Sequence, residues 1–254
     1  MQEPSLQMQA PAFRQVDSGH GLEWWSAAWR LLFYRGAAAV WIVMCVIALV
    51  IFALLHVIPV IGSIASQIGW FVFGGGLMLA ARKTEQATPP AVGDLFAGFG
   101  APLSPLVIAG ALVMVAVLIV FGALAMAGVG ALLGALFGGA SASLGVLAGI
   151  GAASLLFLMV GLVLLVPIAM AAWLAPALIA LRQQPPVEAL KASLAACWAN
   201  LGALTVYGLL WIAFAIVASI PLGLGWLVLA PLMTLSTYAA YRDLFEGEAV
   251  TPTP

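Results

Sequence analysis

Charged residues fall in four clusters along this chain, separated by three long stretches that contain none. The clusters are the N-terminal region up to Arg35, then 82–94, 182–191 and 242–248; the charge-free stretches are 36–81, 95–181 and 192–241. A helix crosses the hydrocarbon core of a bilayer with about 20 apolar residues, so each stretch exceeds one crossing. The first and third fit two crossings each. Each carries a turn signal near its middle, Pro59-Val60-Ile61-Gly62 and Pro221-Leu222-Gly223. Folded into hairpins, the stretches return all four clusters to one side of the membrane. Lys and Arg concentrate on the cytoplasmic side, so both chain ends are expected there. An odd number of crossings in any stretch would split the basic residues between the two sides.

The middle stretch fits two crossings, at about 105–128 and 152–178. The intervening 129–151 is apolar but rich in Gly, Ala and Ser. It reads as a re-entrant segment, a tight loop, or the tips of two overlong helices. Four crossings would satisfy the same parity, but Gly145, Gly149 and Gly151 make a poor extra pair of helices.

The chain then resolves into three copies of one unit: interfacial lead helix, span, turn, span, basic exit. Arg30, Pro59 and Arg82 mark these places in the first copy, and Lys191, Pro221 and Arg242 in the third. Pro89-Pro90 and Pro185-Pro186 open the second and third copies, as proline can at the first turn of a helix. The lead helices share an apolar, aromatic face. It is Leu22, Trp25, Trp29 and Phe33 in the first, Val92, Leu95, Phe96 and Phe99 in the second, and Val187, Leu190, Leu194 and Trp198 in the third. Such helices lie in the membrane interface, with Trp25, Trp29, Arg30, Phe96, Phe99, Lys191 and Trp198 as the expected interface residues. The fold class is therefore all-α: a polytopic transmembrane bundle of three repeated hairpins, about six spans. It forms one domain over 20–248 (repeats about 20–87, 88–184 and 185–248) between polar tails 1–19 and 249–254.

Composition agrees. Of 254 residues, 65% are hydrophobic and 7% charged, with a mean hydropathy of +1.19. A soluble domain carries about 25% charged residues, and this chain could not cover its surface in water. The formal net charge of −1 leaves no basic excess for nucleic acid. The start of the chain lacks an apolar signal-peptide core and a lipidation pattern, so the first span is expected to serve as signal and anchor. Cys45 and Cys197, one mid-span and one on a lead helix, are expected as unpaired small hydrophobes.

Candidate chemistry is sparse. Gly130, Gly134 and Gly138 follow a GxxxGxxxG pattern, Gly145, Gly149 and Ala153 echo it, and Gly74-Gly75-Gly76 lies beside Trp70 and Phe73. Small residues at this spacing let helix backbones approach closely, so these glycines are expected helix-packing positions, within the chain or between copies. None belongs to a phosphate-binding loop. His56, at the outer end of the first span, stands alone, and two His with two distant Cys make no zinc set. The spans carry no Asp, Glu, Lys or Arg at depth, where ion-coupled pumps need them. Thr205, Tyr207, Thr234, Ser236, Thr237 and Tyr238 are expected to bond to backbone carbonyls or across helices. The cytoplasmic acids are expected at the surface, with nothing pairing them into a site. Pro167 and Pro176 should kink the fourth span.

Gly21-Leu-Glu-Trp24-Trp25, Trp29-Arg-Leu-Leu-Phe33, Gly75-Gly-Leu-Met78, Asp94-Leu-Phe96-Ala-Gly-Phe99, Pro231 and Tyr238-Ala-Ala-Tyr-Arg-Asp-Leu-Phe245 resemble a family of uncharacterised six-pass bacterial inner-membrane proteins. More distantly, the pattern is similar to the membrane-anchor domain of some glycerophosphodiester phosphodiesterases, although this chain has no room for their catalytic domain. The resemblance implies a bacterial inner-membrane location and carries over no catalytic residue. The expected function is a non-enzymatic organiser of protein partners or lipids, without cofactor or metal. Its expected partners are the bilayer and either further copies of the chain or another membrane protein. The alternative is a channel or transporter for a neutral or lipid-like solute, motivated by the repeat, the glycine-rich middle and the two kinking prolines.

Overall fold

A computed structural model describes residues 13–137 and 144–247, with side-chain surroundings for those outside 127–154, 156 and 158. Among the described residues all regular structure is helical. The order is α1 (His20–Phe33), α2 (Ala38–His56), α3 (Ile61–Glu85), a 3-10 segment (Val92–Phe99), α4 (Leu103–Phe137), α5 (Leu144–Arg182), α6 (Pro186–Ala199), α7 (Leu201–Ser219) and α8 (Trp226–Tyr241). A π-turn, Arg242–Glu246, prolongs α8.

Among the described residues, five segments are long and apolar enough to cross a membrane: Ala38–His56, Ile61–Glu85, Leu103–Met126, Met159–Arg182 and Leu201–Ser219. Their outer surfaces carry large apolar side chains such as Leu54, Ile119, Val163 and Leu209, each more than 60% exposed. Water would not tolerate such a surface, and lipid does. The expected sixth crossing, α8, has 16 residues, about 24 Å of helix, and is short of that length by itself.

The 129–151 region is helical at both ends, because α4 runs to Phe137 and α5 starts at Leu144. Of the readings open for it, overlong helices describe these parts. Gly130, Gly134, Gly145 and Gly149 lie on those helices but their surroundings are outside the described side chains, and Gly138 is outside the described residues altogether.

Consecutive helices pair antiparallel. Trp41 of α2 donates to Thr84 of α3 (3.3 Å) at one end, and Phe52 meets Phe73 nearer the other. Gly161 of α5 faces Leu124 of α4. Tyr207, Trp211 and Ser219 of α7 bond in turn to Ser236, Met233 and Trp226 of α8 (2.9, 3.2 and 3.2 Å).

The three lead elements dock in a common way. The 3-10 segment packs on α3, α6 on α5, and α1 on α8. Each also touches the first span of the preceding pair: the 3-10 segment meets α2, α6 meets α4, and α1 meets α7. Glycine makes the first docking close. A Cβ on Gly98 would collide with the Val72 carbonyl, and one on Gly76 with the Leu95 carbonyl. Gly75 lies against Leu106 of α4, and Gly74 is in ordinary contact with Pro176. In the second docking, the buried Ser193 hydroxyl enters the α5 ladder, donating to Met170 O (2.6 Å) and accepting from Leu174 N–H (3.1 Å). Insertion of a side chain between residues i and i−4 is a recognised cause of helix bending, and Pro167 and Pro176 bracket this one.

The lead elements therefore do not lie on lipid by one whole face, as expected above. Trp25 is buried, its ring 5.1 Å from Tyr207 and its indole N–H donating to Tyr207 O (3.3 Å). Leu95 is buried as well. Leu22, Trp29, Phe33, Phe96, Phe99, Val187 and Trp198 stay exposed. The second lead element is also a 3-10 segment rather than an α-helix. Its backbone lies directly against that of α3, through its own Gly98 and through Gly76 of α3.

Residues with positive φ recur at matching places. Val60 (φ 62°) and Leu222 (φ 53°) follow the turn prolines, while Ala87 (φ 58°) and Gln183 (φ 54°) precede the two Pro-Pro pairs. Val60, with ψ −65°, has the geometry of a positive-φ γ-turn, closed by Ile61 N–H donating to Pro59 O at 2.7 Å, which is strained for a β-branched residue by about 1–3 kcal/mol. Val60→Gly is therefore expected to stabilise the protein by about 1 kcal/mol. A raised thermal midpoint in lipid discs is the check.

Candidate functional site

The charged ends of α3 and α8 converge into one buried cluster. The last turn of α3 places Arg82 and Glu85 on a common side, at i and i+3. From α8, Tyr238, Tyr241 and Arg242 follow the same spacing toward α3. The π-turn then widens the helix by one residue per turn, which brings Glu246 under Tyr241. The Tyr241 hydroxyl donates to Glu246 Oε1 at 2.6 Å.

Each carboxylate in the cluster is balanced. Glu85, 9% exposed, lies 3.2 Å from Arg242 Nη2 and accepts from the Tyr238 hydroxyl. Glu246 pairs with both Arg82 and Arg242. Beside them, buried Asp243 accepts from the Trp24 indole (2.9 Å), sits 2.7 Å from His20 Nδ1 and faces Arg14 at 3.6 Å. Asp94 pairs with Lys83 at 2.5 Å and accepts from Ala91 N–H at 2.9 Å, capping the 3-10 segment. The Arg182 guanidinium lies 5.9 Å from the Phe245 ring. Residues of α1, α3, the 3-10 segment, α5 and α8 with its π-turn thus meet at one end of the bundle.

The segment before α1 joins the same end. Arg14 N–H donates to Leu244 O (2.6 Å), and buried Asn200 accepts from Val16 N–H (2.8 Å) and donates to Arg14 O (3.1 Å). Of the expected polar tail 1–19, the part from Phe13 is tied to the fold, and residues 1–12 lie outside the described residues.

Sequence reasoning placed these acids at the surface, unpaired; the structure overturns that. Glu85, Asp94 and Asp243 are buried, and each has a cation from another part of the chain. Trp24, Tyr238, Tyr241 and Arg242 were not singled out as a site. The spacing Tyr238-x-x-Tyr241-Arg242-Asp243-x-x-Glu246 was the available signal. Of the expected interface residues, Trp29, Arg30, Phe96, Phe99, Lys191 and Trp198 are exposed, with Lys191 paired to Glu188 at 3.3 Å, while Trp25 is buried.

The arrangement is a cross-link: opposite charges and phenols satisfy one another. Among the described residues, no group of three His, Cys, Asp or Glu could hold a metal. His56 Nδ1 donates to Phe52 O (2.7 Å), one turn back on its own helix. Both cysteines are free, and burial pushes the Cys197 thiol up to about 12.

Glu246 gives the cluster a pH signature. Burial opposes its charge, but hydrogen bonds from Tyr241 and Arg242 and the fields of Arg82 and Arg242 outweigh that and lower its pKa. A carboxylate whose pKa is lowered by folding stabilises the fold above its unfolded value, about 4.3. That contribution disappears as pH falls through the lowered folded value. Thermal stability is therefore expected to drop below about pH 4, and the drop should shrink in Glu246→Gln. An acid profile identical in the two proteins would refute the assignment.

No protein-family model matches the chain, and no solved structure matches it. A protein of Burkholderia thailandensis, named as a probable inner membrane protein, is 31% identical over 213 residues. The alignment covers 76% of this chain and 79% of the relative. It says nothing of phosphodiesterase anchor domains.

Proposed function

We propose a function from this premise: the chain belongs to the inner-membrane protein family of its Burkholderia thailandensis relative, and is a multi-pass protein of that membrane. Within it the chain acts as a non-enzymatic scaffold that organises protein partners or lipids. It crosses six times as three hairpins, α2–α3, α4–α5 and α7–α8, with α8 as a short sixth crossing that ends before the π-turn. Both ends and all four charged clusters lie in the cytoplasm.

One observation carries the reading. Each lead element packs on the second span of the preceding hairpin, and α1 does so on α8, so the three units close into a ring. Large side chains such as Trp41, Phe71, Tyr238 and Tyr241 fill its inside and are fully buried. The Glu85–Arg242 and Arg82–Glu246 pairs then tie the first unit to the last at the charged end. A transporter of the alternating kind has to open one end at a time, and this end is locked by buried opposite charges.

The test is native mass spectrometry of the full chain, extracted gently into lipid discs. A stoichiometric protein partner or a defined homo-oligomer is expected. A partnerless monomer whose proteoliposomes pass solute faster than empty vesicles would replace the scaffold by the transport reading. For orientation, a periplasmic reporter is expected to be active after Pro59 or Pro221 and silent after Arg82 or Arg182; the reverse pattern would overturn it.

A further inference from the structure

We infer that the α1–α2 corner holds an anionic phospholipid headgroup of the leaflet around the charged end. This deepens the scaffold reading by naming a lipid. The corner spans Trp29 to Arg35. Trp29 and Phe33 are 54% and 50% exposed, and their rings lie together, tilted by 50° with centroids 4.7 Å apart. They continue the apolar outer surface of α2, where Val43 and Val50 face outward. Arg30 lies between these two aromatic residues in sequence and Arg35 follows them, and both arginines are exposed. The Arg35 guanidinium is held 5.4 Å from the Tyr34 ring, and the span α2 begins three residues later, at Ala38. Arg35 therefore sits at headgroup depth wherever α2 enters the bilayer.

Charge bookkeeping favours an anion. Arg14, Arg82, Lys83, Lys191 and Arg242 all have carboxylate partners within the protein. Among the described residues, Arg30, Arg35 and Arg182 have none within ion-pair distance; Arg182 lies over the Phe245 ring, away from the corner, which leaves Arg30 and Arg35 as the cations offered there. The acid of α1, Glu23, lies two turns before Arg30 and leans toward His20 at 3.6 Å. Arg30 also borders an open recess shared with Ser26, Glu23 and Asp243, whose oxygens can accept from headgroup hydroxyls. A zwitterionic headgroup would bring its own ammonium against two guanidiniums. A phosphate without that cation pairs with them, while its acyl chains lie along Trp29 and Phe33. Arginine suits phosphate through its planar fork of donors, and exposed aromatic side chains anchor at the same depth.

The full-length protein is assembled into discs of equimolar phosphatidylglycerol and phosphatidylcholine, and the lipids it retains are counted by native mass spectrometry. Preferential retention of phosphatidylglycerol is expected. Arg30→Gln and Arg35→Gln should each lower it by about fivefold, the effect of one basic residue near an anionic surface. Lys191→Gln, which removes a cation already paired, should leave it unchanged. Equal retention of the two lipids, or an equal loss in Lys191→Gln, would overturn the site. Thermal midpoints of the same variants, expected at the wild-type value, separate lost binding from lost folding. The oligomer mass in the same spectra reports on the scaffold independently, so either reading can fail alone.

Discussion

Arg242→Met is expected to lower stability by about 3–5 kcal/mol, the usual effect of breaking a buried ion pair from one side. The substitution removes the guanidinium 3.2 Å from the Glu85 carboxylate, which is 9% exposed. It also removes one of the two cations on Glu246. Most of the loss reflects a carboxylate kept from water with its charge balance upset, rather than the worth of the pair itself. Arg242→Met combined with Glu85→Gln should therefore be more stable than Arg242→Met alone. Unfolding in lipid discs, followed by tryptophan fluorescence for the two single variants and the double, measures the coupling. A strictly additive double variant would show that the two side chains do not interact.

Gly98→Ala is expected to destabilise the protein by about 3 kcal/mol, the upper part of the range for overpacking. The added Cβ meets the Val72 carbonyl and lies near Gly76 N. Both are backbone atoms of α3, so no side chain can swing aside. The 3-10 segment has to lift from α3, and its burial of Leu95 and Asp94 goes with it. Gly93→Ala is the matched control: a Cβ there meets nothing within 4 Å, and a change within about 0.5 kcal/mol is expected. Similar melting temperatures for the two variants would remove close backbone packing as the reason for glycine at 98.

How much was legible varied with the kind of force involved. Five of the expected six spans were legible because a bilayer imposes a one-dimensional rule, about 20 residues without charge; α8, with 16 residues, falls short of it. The turns at Pro59 and Pro221 were legible because each proline is followed within three residues by a glycine, and the chain does turn there, with positive φ at Val60 and Leu222. The inner faces of the lead elements were not. In water, polarity separates an inner face from an outer one, but here lipid and protein interior are both apolar. Trp24, Trp25 and Trp29 thus look alike in sequence, although the first two are buried and the third is half exposed. The cluster itself was illegible for another reason. Glu85 and Arg242 are 157 residues apart, and a charged residue at a helix end reads as a solvated one until its partner is known.

The sequence by itself determined that this protein lives in a membrane and roughly where five of its helices cross. Hydropathy and charge act residue by residue, so no knowledge of the fold was needed. Only the tertiary structure decided which aromatic side chains turn inward, that the charged end is a buried lattice of Arg, Glu and Tyr, and that α1 returns to α8. These depend on which helices are neighbours, and that choice rests on close packing and paired charges between segments far apart in the chain.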